Sequence, residues 1–502
     1  MQETLTAVLD ENFLLFTPFP KFVRELLTFQ EKTMVQVDMV NEKTGRTWKE
    51  TKTRKKTQHA FIDKTDSPPH LMVMWTFVAN HPRPVIQTSQ GMWYRIKQAC
   101  ERNGWQFKMH DVRIPFPQPR LDLMNGFRFS QEALLREALL KNASGIIEAP
   151  TRWGKTHLIK NILKAYSGMP ILVTAPGLDL LKQLQEQLTQ LLPGREIKSM
   201  IDDKTRYQGD DITIISMDSL HKADKGRTML IVIDEPHALV TDGRMPEFLE
   251  FTKARKLAVG ATPGGRFDNR DILIEGVIGP VLARRTFREA VEEGAICQIV
   301  VFMIDISCRT ITKRKRRTIL KEALFESPAV AEVMRRILTW LPEDWQKMAF
   351  IKNEDSARFF QGQFPGSEIA MAKLLTKTQR EDMRQRMAEG SIKLAFASDI
   401  YAQGLTFSDL MVLFNLGSGG PYVNAVQKPG RLAEIRPGKK AGYMFDFRFV
   451  PEAGATGSTY PSELWGVIKE GEARREVYVN KGYRVRDVRT MHQLEAAVRE
   501  EL

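Results

Sequence analysis

A short apolar run that ends in a hydroxyl- and glycine-bearing loop and then opens a helix leaves few folds available. This chain carries one, because Gly145-Ile-Ile-Glu148 runs directly into Ala149-Pro-Thr-Arg-Trp-Gly-Lys-Thr156. The loop matches a phosphate loop except that alanine holds the first glycine position. In such a loop consecutive amides and a helix amino terminus form an anion nest. Lys155 adds a point charge for the β- and γ-phosphates and the Thr156 hydroxyl suits a magnesium ion. Thr151 and Gly154 complete the expected nucleotide-binding set, and ATP with Mg2+ is the expected ligand pair.

Strands and helical patterns alternate on both sides of this loop, so the fold class is α/β. Gly145–Glu148, Ile171–Thr174, Ile212–Ser216, Met229–Ile233 and Leu257–Gly260 are short and apolar enough to be strands buried on both faces. A second series follows at Ile299–Ile304, Lys347–Ile351, Ile392–Ala397, Met411–Asn415 and Gly442–Phe445. Two tandem parallel-sheet domains are therefore expected, at residues 119–292 and 293–450. Residues 1–118 read as a small α+β domain, with a β-type segment Thr33–Val40, a basic stretch Lys43–Lys56, an apolar run Leu71–Val78 and a helix within Gly91–Asn103. Pro115, Pro117 and Pro119 mark the linker that ends it. Residues 451–502 read as a short helical extension.

The strand Met229–Ile233 ends in Asp234-Glu-Pro-His237. Carboxylates at a strand's carboxyl end face the phosphate site of such a sheet, so Asp234 suits the magnesium ion and Glu235 the orientation or deprotonation of an attacking water. His237 either couples nucleotide state to the neighbouring domain or is a surface histidine.

With these motifs in place, Phe127 to Phe447 resembles the superfamily 2 helicases and translocases, whose two motor domains are RecA-like. The resemblance implies that Gln131, in Phe127-Arg-Phe-Ser-Gln131, reads the adenine edge; a surface glutamine on an amphipathic helix is the alternative. Val173-Thr-Ala-Pro176 and Ile215-Ser-Met-Asp218 are similar to strand-end segments that grip a nucleic-acid strand, which implies contacts at Thr174, Pro176 and Ser216. Gly260-Ala-Thr-Pro263 resembles the coupling motif, with Thr262 as the linking hydroxyl. In the second domain Ala397-Ser-Asp-Ile-Tyr-Ala-Gln-Gly-Leu-Thr-Phe407 implies a phosphate contact at Ser398 and close approach to nucleotide at Gly404. Gln427-Lys-Pro-Gly-Arg431 resembles the motif that reaches the γ-phosphate. The family's last arginine there falls on Glu434, which leaves Arg436, or Arg431 alone, as the finger. Arg152-Trp153 in the phosphate loop is a second departure.

The overall layout is similar to phage UvsW-type helicases, which implies remodelling of branched DNA by fork regression, branch migration and strand displacement in replication, recombination or repair. The chain of 502 residues carries 74 Lys+Arg against 61 Asp+Glu, a net +13, which favours a polyanionic partner. Lys52-Thr-Arg-Lys-Lys56 and Lys313-Arg-Lys-Arg-Arg317 are its dense basic runs. Lys52, Arg54 and Lys55 are candidate phosphate contacts, with a solvated loop as the alternative. Trp48 beside them suits base stacking or a core. Three cysteines without a Cys-x-x-Cys pair exclude a disulfide framework and a cysteine zinc site. No run approaches the ~18 apolar residues of a membrane span, and the amino terminus is acidic where a signal peptide is basic. A bacterial or phage-infected host cytoplasm is expected, and a monomer. The expected activity is a nucleic-acid-dependent ATPase acting on single-stranded, duplex or branched DNA. The alternatives are an RNA helicase, a catalytically weak clamp on branched nucleic acid, and the motor subunit of a restriction complex.

Overall fold

A computed structural model of the chain describes residues 3–502 apart from 11–12, 41–46, 64–85, 201–211, 242, 262–269, 309–310, 312–314, 372, 399–409, 418–427 and 457–458. The Leu71–Val78 run therefore lies outside the described residues. Contacts divide the chain into two units, Met1–Ala149 with Gly154–Arg285, and Pro150–Trp153 with Thr286–Leu502.

The first unit opens with strands β1 (Thr4–Leu9), β2 (Phe13–Thr17), β3 (Thr28–Val40), β4 (Thr47–His59), β5 (Phe61–Asp63), β6 (Ile86–Ser89) and β7 (Gln106–Asp111). Five of them form one sheet in the order β5-β6-β2-β1-β7, while β3 and β4 pair with each other as a two-stranded ribbon. Alternating apolar residues of β1 and β2 turn inward, so Leu5, Ala7, Leu9, Leu14 and Phe16 share a core with Ile96 and Cys100 of the helix Trp93–Arg102. Trp93 packs half-buried against the same core.

This sheet is fastened to the helix Asp271–Ile278. A Cβ on Gly91 would stand 1.8 Å from the Glu275 carbonyl oxygen, so only glycine permits the approach. Beside it Arg95 Nε donates to Glu275 at 2.6 Å and Gln90 Nε2 to the Ile278 carbonyl at 3.0 Å.

The rest of the first unit holds β8 (Gly145–Glu148), β9 (Ile171–Ala175), β10 (Lys198–Ser199), β11 (Ile212–Ser216), β12 (Leu230–Asp234), β13 (Arg255–Gly260) and β14 (Val281–Arg284). They pair wholly parallel in the order β10-β11-β9-β12-β13-β8-β14. Helices cover both faces of a sheet of this kind, which is why β9, β11 and β13 are buried along their whole length. The order sets β8, β12 and β13 side by side, and their carboxyl ends converge.

The second unit repeats the plan with β15 (Gln298–Ser307), β16 (Gln346–Ile351), β17 (Glu368–Ala370), β18 (Leu394–Ser398), β19 (Leu410–Asn415), β20 (Ala441–Val450) and β21 (Arg484–Val488). Again all pairs are parallel, in the order β17-β18-β16-β19-β20-β15-β21. Phe302, Phe414 and Phe445 stack through its middle at 4.9 and 5.1 Å between ring centroids.

The expected helical extension proves to be more than helical, and it is not an appendage. Residues 451–502 contain helix Ser462–Asn480, β21 and helix Met491–Glu501. Strand β21 closes the edge of the second sheet against β15, and Leu464, Val467, Ile468, Leu494 and Val498 belong to the same core as Phe302.

Candidate nucleotide site

The site in the first unit is assembled from the carboxyl ends of β8, β12 and β13. After β8 the chain must turn sharply into the helix Lys155–Ala165. Gly154 makes that turn at φ 90°, a left-handed conformation in which a Cβ would also stand 2.6 Å from Gln131 Nε2. Ala149 N donates to the Gly260 carbonyl at 3.0 Å and Glu235 N to the Val259 carbonyl at 3.2 Å, which ties the three strand ends together. Gly260 is required for the same reason as Gly91, since a Cβ there would come within 2.7 Å of the Pro236 ring.

Lys155 opens the helix and is ion-paired through Nζ with Glu235 Oε1. Burial alone would lower the lysine's affinity for its proton, but the charges of Glu235 and Asp234 hold it above its ordinary value. Glu235 stands at φ 54°, a left-handed backbone that turns its carboxylate back toward the loop. Burial pushes this carboxyl up, and the Lys155 charge with His237 outweighs it and holds Glu235 below the usual carboxylate range. His237 Nδ1 lies 3.3 Å from Glu235 Oε2. Asp234 goes the other way: burial, reinforced by the neighbouring Glu235 charge, pushes it up to about 6. Its Oδ1 is buried with no hydrogen-bond partner among the described residues.

That orphaned oxygen and the Thr156 hydroxyl form an all-oxygen donor pair of the type magnesium takes when phosphates and water complete its shell. The Thr156 hydroxyl donates to Gln187 Oε1 at 3.0 Å, so serving a metal means exchanging that bond. Among the described residues no group of three His, Cys, Asp or Glu side chains could hold a metal ion without such help. Gln131 is buried, and its Oε1 accepts from Arg128 N at 3.0 Å. Its side chain thus spans from its own helix start to the hinge glycine of the phosphate loop.

The other expected residues fall into distinct settings. Thr174 is fully buried with its Oγ1 unpartnered among the described residues, and Ser216 is buried with its Oγ accepting from Asp218 N at 3.3 Å. Both lie on strands that are buried along their whole length. Pro176, one residue beyond β9, is half-buried. Ser398 ends β18, half-buried. Thr262, Gly404 and Gln427 lie outside the described residues, and for Lys52 the backbone alone is described.

Within the second unit Arg152, at φ 66°, reaches Glu434 at 3.4 Å, and Glu434 also accepts from Arg436 Nη2 at 3.0 Å. The residue at the expected finger position is therefore an acid that holds two arginines, one of them the expected replacement. Trp153 Nε1 donates to Glu293 at 2.6 Å, and Thr151 stands where a Cβ on Gly430 would meet its Oγ1 at 2.0 Å. Arg431 begins a short 3-10 turn, half-buried.

A buried polar chain escaped the sequence reading. Lys428, beside Gln427, sits 4.9 Å above the Phe350 ring and donates to Asn415 Oδ1 at 3.3 Å. Asn415 Nδ2 donates to Asp446 Oδ1 at 3.0 Å, and Asp446 also accepts from Arg474 Nε at 2.9 Å and Tyr478 Oη at 2.8 Å. Only the apolar framing of β19 and β20 hinted at it, since its members are scattered along the chain with no shared spacing.

A family model for the res subunit of type III restriction enzymes matches residues 124–265, the stretch that holds both halves of this site. A DNA 3'-5' translocase of Sulfurisphaera tokodaii, XPB2, is 24% identical over 371 residues, covering 64% of this chain and 80% of the relative. Among solved structures, a fragment described as an HsdR subunit of a type I restriction enzyme from Vibrio vulnificus YJ016 aligns with a TM-score of 0.55 at 13% identity, over 92% of each chain. T4 UvsW aligns over 97% of this chain and 99% of its own at 13% identity, with a TM-score of 0.35. With two tandem RecA-like sheets and a phosphate-loop lysine beside an acid pair, the chain is similar to the ATP-dependent helicases and translocases of superfamily 2.

Proposed function

We propose that this chain is an ATP-driven DNA translocase or helicase that remodels branched DNA, regressing forks, migrating branches and displacing strands. The observation that carries the motor reading is the pairing of Lys155 with Glu235 beside the buried, orphaned Asp234. The name of the Sulfurisphaera relative and the net charge of +13 support DNA as the substrate. The separate amino-terminal sheet, fastened to the motor sheet at Gly91 and Arg95, supports an accessory role on junctions.

In this reading Lys155 exchanges its partner, leaving Glu235 for the β- and γ-phosphates of ATP. The exchange frees Glu235, whose low proton affinity keeps it charged, to orient the attacking water. His237, 3.3 Å from that carboxylate, holds it in place. Asp234 and Thr156 would hold Mg2+, which neutralises charge on the transferred phosphoryl group. Without nucleotide the lysine and the general base neutralise each other.

The test is strand displacement and branch migration on forked DNA, matched linear duplex and matched RNA, each with ATP. Faster remodelling of the fork supports the proposal. Activity on RNA alone overturns the choice of DNA. Activity that appears only with an added nuclease subunit favours the restriction-motor reading, which the names of the matched family and the Vibrio fragment also favour.

A further inference from the structure

The helix Arg244–Leu249 begins a few residues beyond the acid pair, and its first side chain reaches in two directions. Arg244 Nε donates to Asp218 Oδ1 at 2.7 Å and Nη2 to Asp218 Oδ2 at 3.0 Å, a two-pronged bond that fixes the guanidinium plane. The remaining terminal nitrogen, Nη1, donates to the Ala238 carbonyl at 2.6 Å. One planar group with donors in fixed directions thus ties two stretches of chain together.

Both stretches stand at the carboxyl edge of the first motor sheet, where ligands of such sheets bind. Asp218 belongs to the 3-10 turn Met217–Lys222 that leaves β11, and to the segment Ile215–Asp218 that resembles a nucleic-acid-gripping motif. Asp218, His221 and Lys222 are exposed on this turn. Ala238 closes the 3-10 turn Pro236–Ala238 that leaves β12. That second turn starts from Glu235: Ala238 N donates to the Glu235 carbonyl at 3.1 Å, and His237, within the turn, stands 3.3 Å from the Glu235 carboxylate. Arg244 therefore bridges a segment suited to a nucleic-acid strand and the turn that sets the direction of Glu235.

Neither end of the bridge is loose. Asp218 N donates to Ser216 Oγ at 3.3 Å and Arg244 N to Thr241 Oγ1 at 3.2 Å. Beneath them Met217, Leu220, Leu239 and Phe248 share one core, in which a shift of one turn is passed to its neighbours. Stability is a poor reason for the bridge, because an ion pair whose acid is 62% exposed adds little. The same stretch is fastened to the helix a second time by Lys225, whose Nζ meets Glu247 at 2.7 Å and also Glu250. Lys225 binds carboxylates on the helix and at its end, whereas Arg244 binds a backbone carbonyl of the Glu235 turn. Phosphates brought close to Asp218 repel it and attract Arg244, so a bound strand acts on the bridge directly.

We infer that Arg244 is a positioning residue that couples nucleic acid to hydrolysis: a strand bound at the Met217–Lys222 turn moves Asp218, and Arg244 passes the movement through the Ala238 carbonyl to Glu235 and His237. The inference rests on the nucleic-acid-driven motor proposed above and names the link between its two ligands.

The experiment measures steady-state ATP turnover of the full chain, with and without saturating duplex DNA, for the parent, D218N, R244A, R244K, D218N/R244A and K225A. Fluorescence anisotropy with the same duplex sets the saturating concentration for each protein. The readout is the ratio of turnover with DNA to turnover without it, which a uniform loss of active protein leaves unchanged. Couplings between sites are typically about 5- to 150-fold, so D218N and R244A are each expected to lower the ratio by about 5-fold or more. R244K is expected to fall with them, because an ammonium keeps the charge without the fork. D218N/R244A should lose no more than R244A alone, and K225A should keep the parent's ratio. The parent's ratio in D218N, R244A or R244K overturns the inference, as do additive losses in the double variant or an equal loss in K225A. A parent whose turnover DNA does not raise overturns the motor reading itself, an outcome distinct from a stimulated parent whose ratio the variants leave intact.

Discussion

At the scale of single residues, chemistry is set by which charges burial forces together. Asp234 is pushed up to about 6 by burial and by Glu235, so below that pH it is protonated and no longer suits a metal. Without metal Asp234 therefore binds its proton as pH drops through about 6, so protons and Mg2+ compete for it and Mg2+ affinity should fall over that window, while Glu235, held low, stays charged. The sign for stability is opposite. A carboxyl raised in the folded state binds its proton more tightly there than in the unfolded chain, so acidification from about pH 6 toward the ordinary carboxylate range adds folded stability through Asp234. Mg2+ titrations of the parent across this window, beside melting curves for the parent and Asp234→Asn, check both. The Asp234 share of the stability change should disappear in the variant. Glu235→Gln should cut turnover by roughly 10²- to 10⁴-fold, measured as steady-state ATP hydrolysis, and should lower the Tm of the nucleotide-free protein, because it leaves the buried Lys155 ammonium without its ion-pair partner.

The placement of these residues at a strand end beside the phosphate loop was legible because strand-end position and residue type are both local. The partners were not: Gln187 on the Thr156 hydroxyl and Glu434 between Arg152 and Arg436 meet their partners only through the fold.

At the scale of elements, the strands that sequence reveals are those buried on both faces. The ten expected runs all lie in or overlap observed strands, with shifts that matter in one case, since β12 extends one residue to include Asp234 itself. In the two motor sheets the strands it missed are the edge strands β10, β14, β17 and β21, and in the amino-terminal sheet it also missed β1, β2 and β6, which lie inside the sheet. β10 and β17 have two and three residues, and β21 is Arg-Val-Arg-Asp-Val, polar because one side of an edge strand faces water. The polar β4 was hidden for the same reason, as a run of lysine and threonine has no apolar stripe to betray it.

The Asp446 chain gives an element-scale prediction. Arg474 is buried against Asp446, whose carboxylate is fully enclosed and takes Asn415, Arg474 and Tyr478 together. Asp446→Ala strands the guanidinium without its counter-charge and should cost about 3–5 kcal/mol. Asn415→Ala leaves that ion pair intact and should cost only about 1–3 kcal/mol. Urea unfolding of the full chain measures both, and equal costs would mean the chain is not organised around the buried ion pair.

At the scale of the whole molecule, both units are built on one plan, but each borrows from a neighbour in sequence. The amino-terminal sheet closes against the first motor sheet through Gly91, and the carboxyl-terminal segment finishes the second sheet with β21. The tandem architecture was legible from alternating apolar runs and the phosphate loop. Integration of residues 451–502 into the second core was not, because it depends on an edge strand and on helix residues whose partners lie in β15 and β20. Deleting residues 451–502 should therefore leave the second unit unfolded or aggregated, since it uncovers β15 and removes Leu464, Val467, Ile468, Leu494 and Val498 from the core. Limited proteolysis of the truncated chain checks this. A protease-resistant second unit would contradict it.

The central claim is that Lys155 and Glu235 form a nucleotide-hydrolysing site driven by nucleic acid. The most direct measurement is steady-state ATP hydrolysis by the parent, Lys155→Ala and Glu235→Gln, each without nucleic acid and with single-stranded, duplex and forked DNA. The account predicts low basal turnover, strong stimulation by DNA in the parent, and loss of that stimulation in both variants, with salt-sensitive DNA binding retained by Lys155→Ala. Full turnover in Lys155→Ala, or turnover indifferent to nucleic acid, would contradict it.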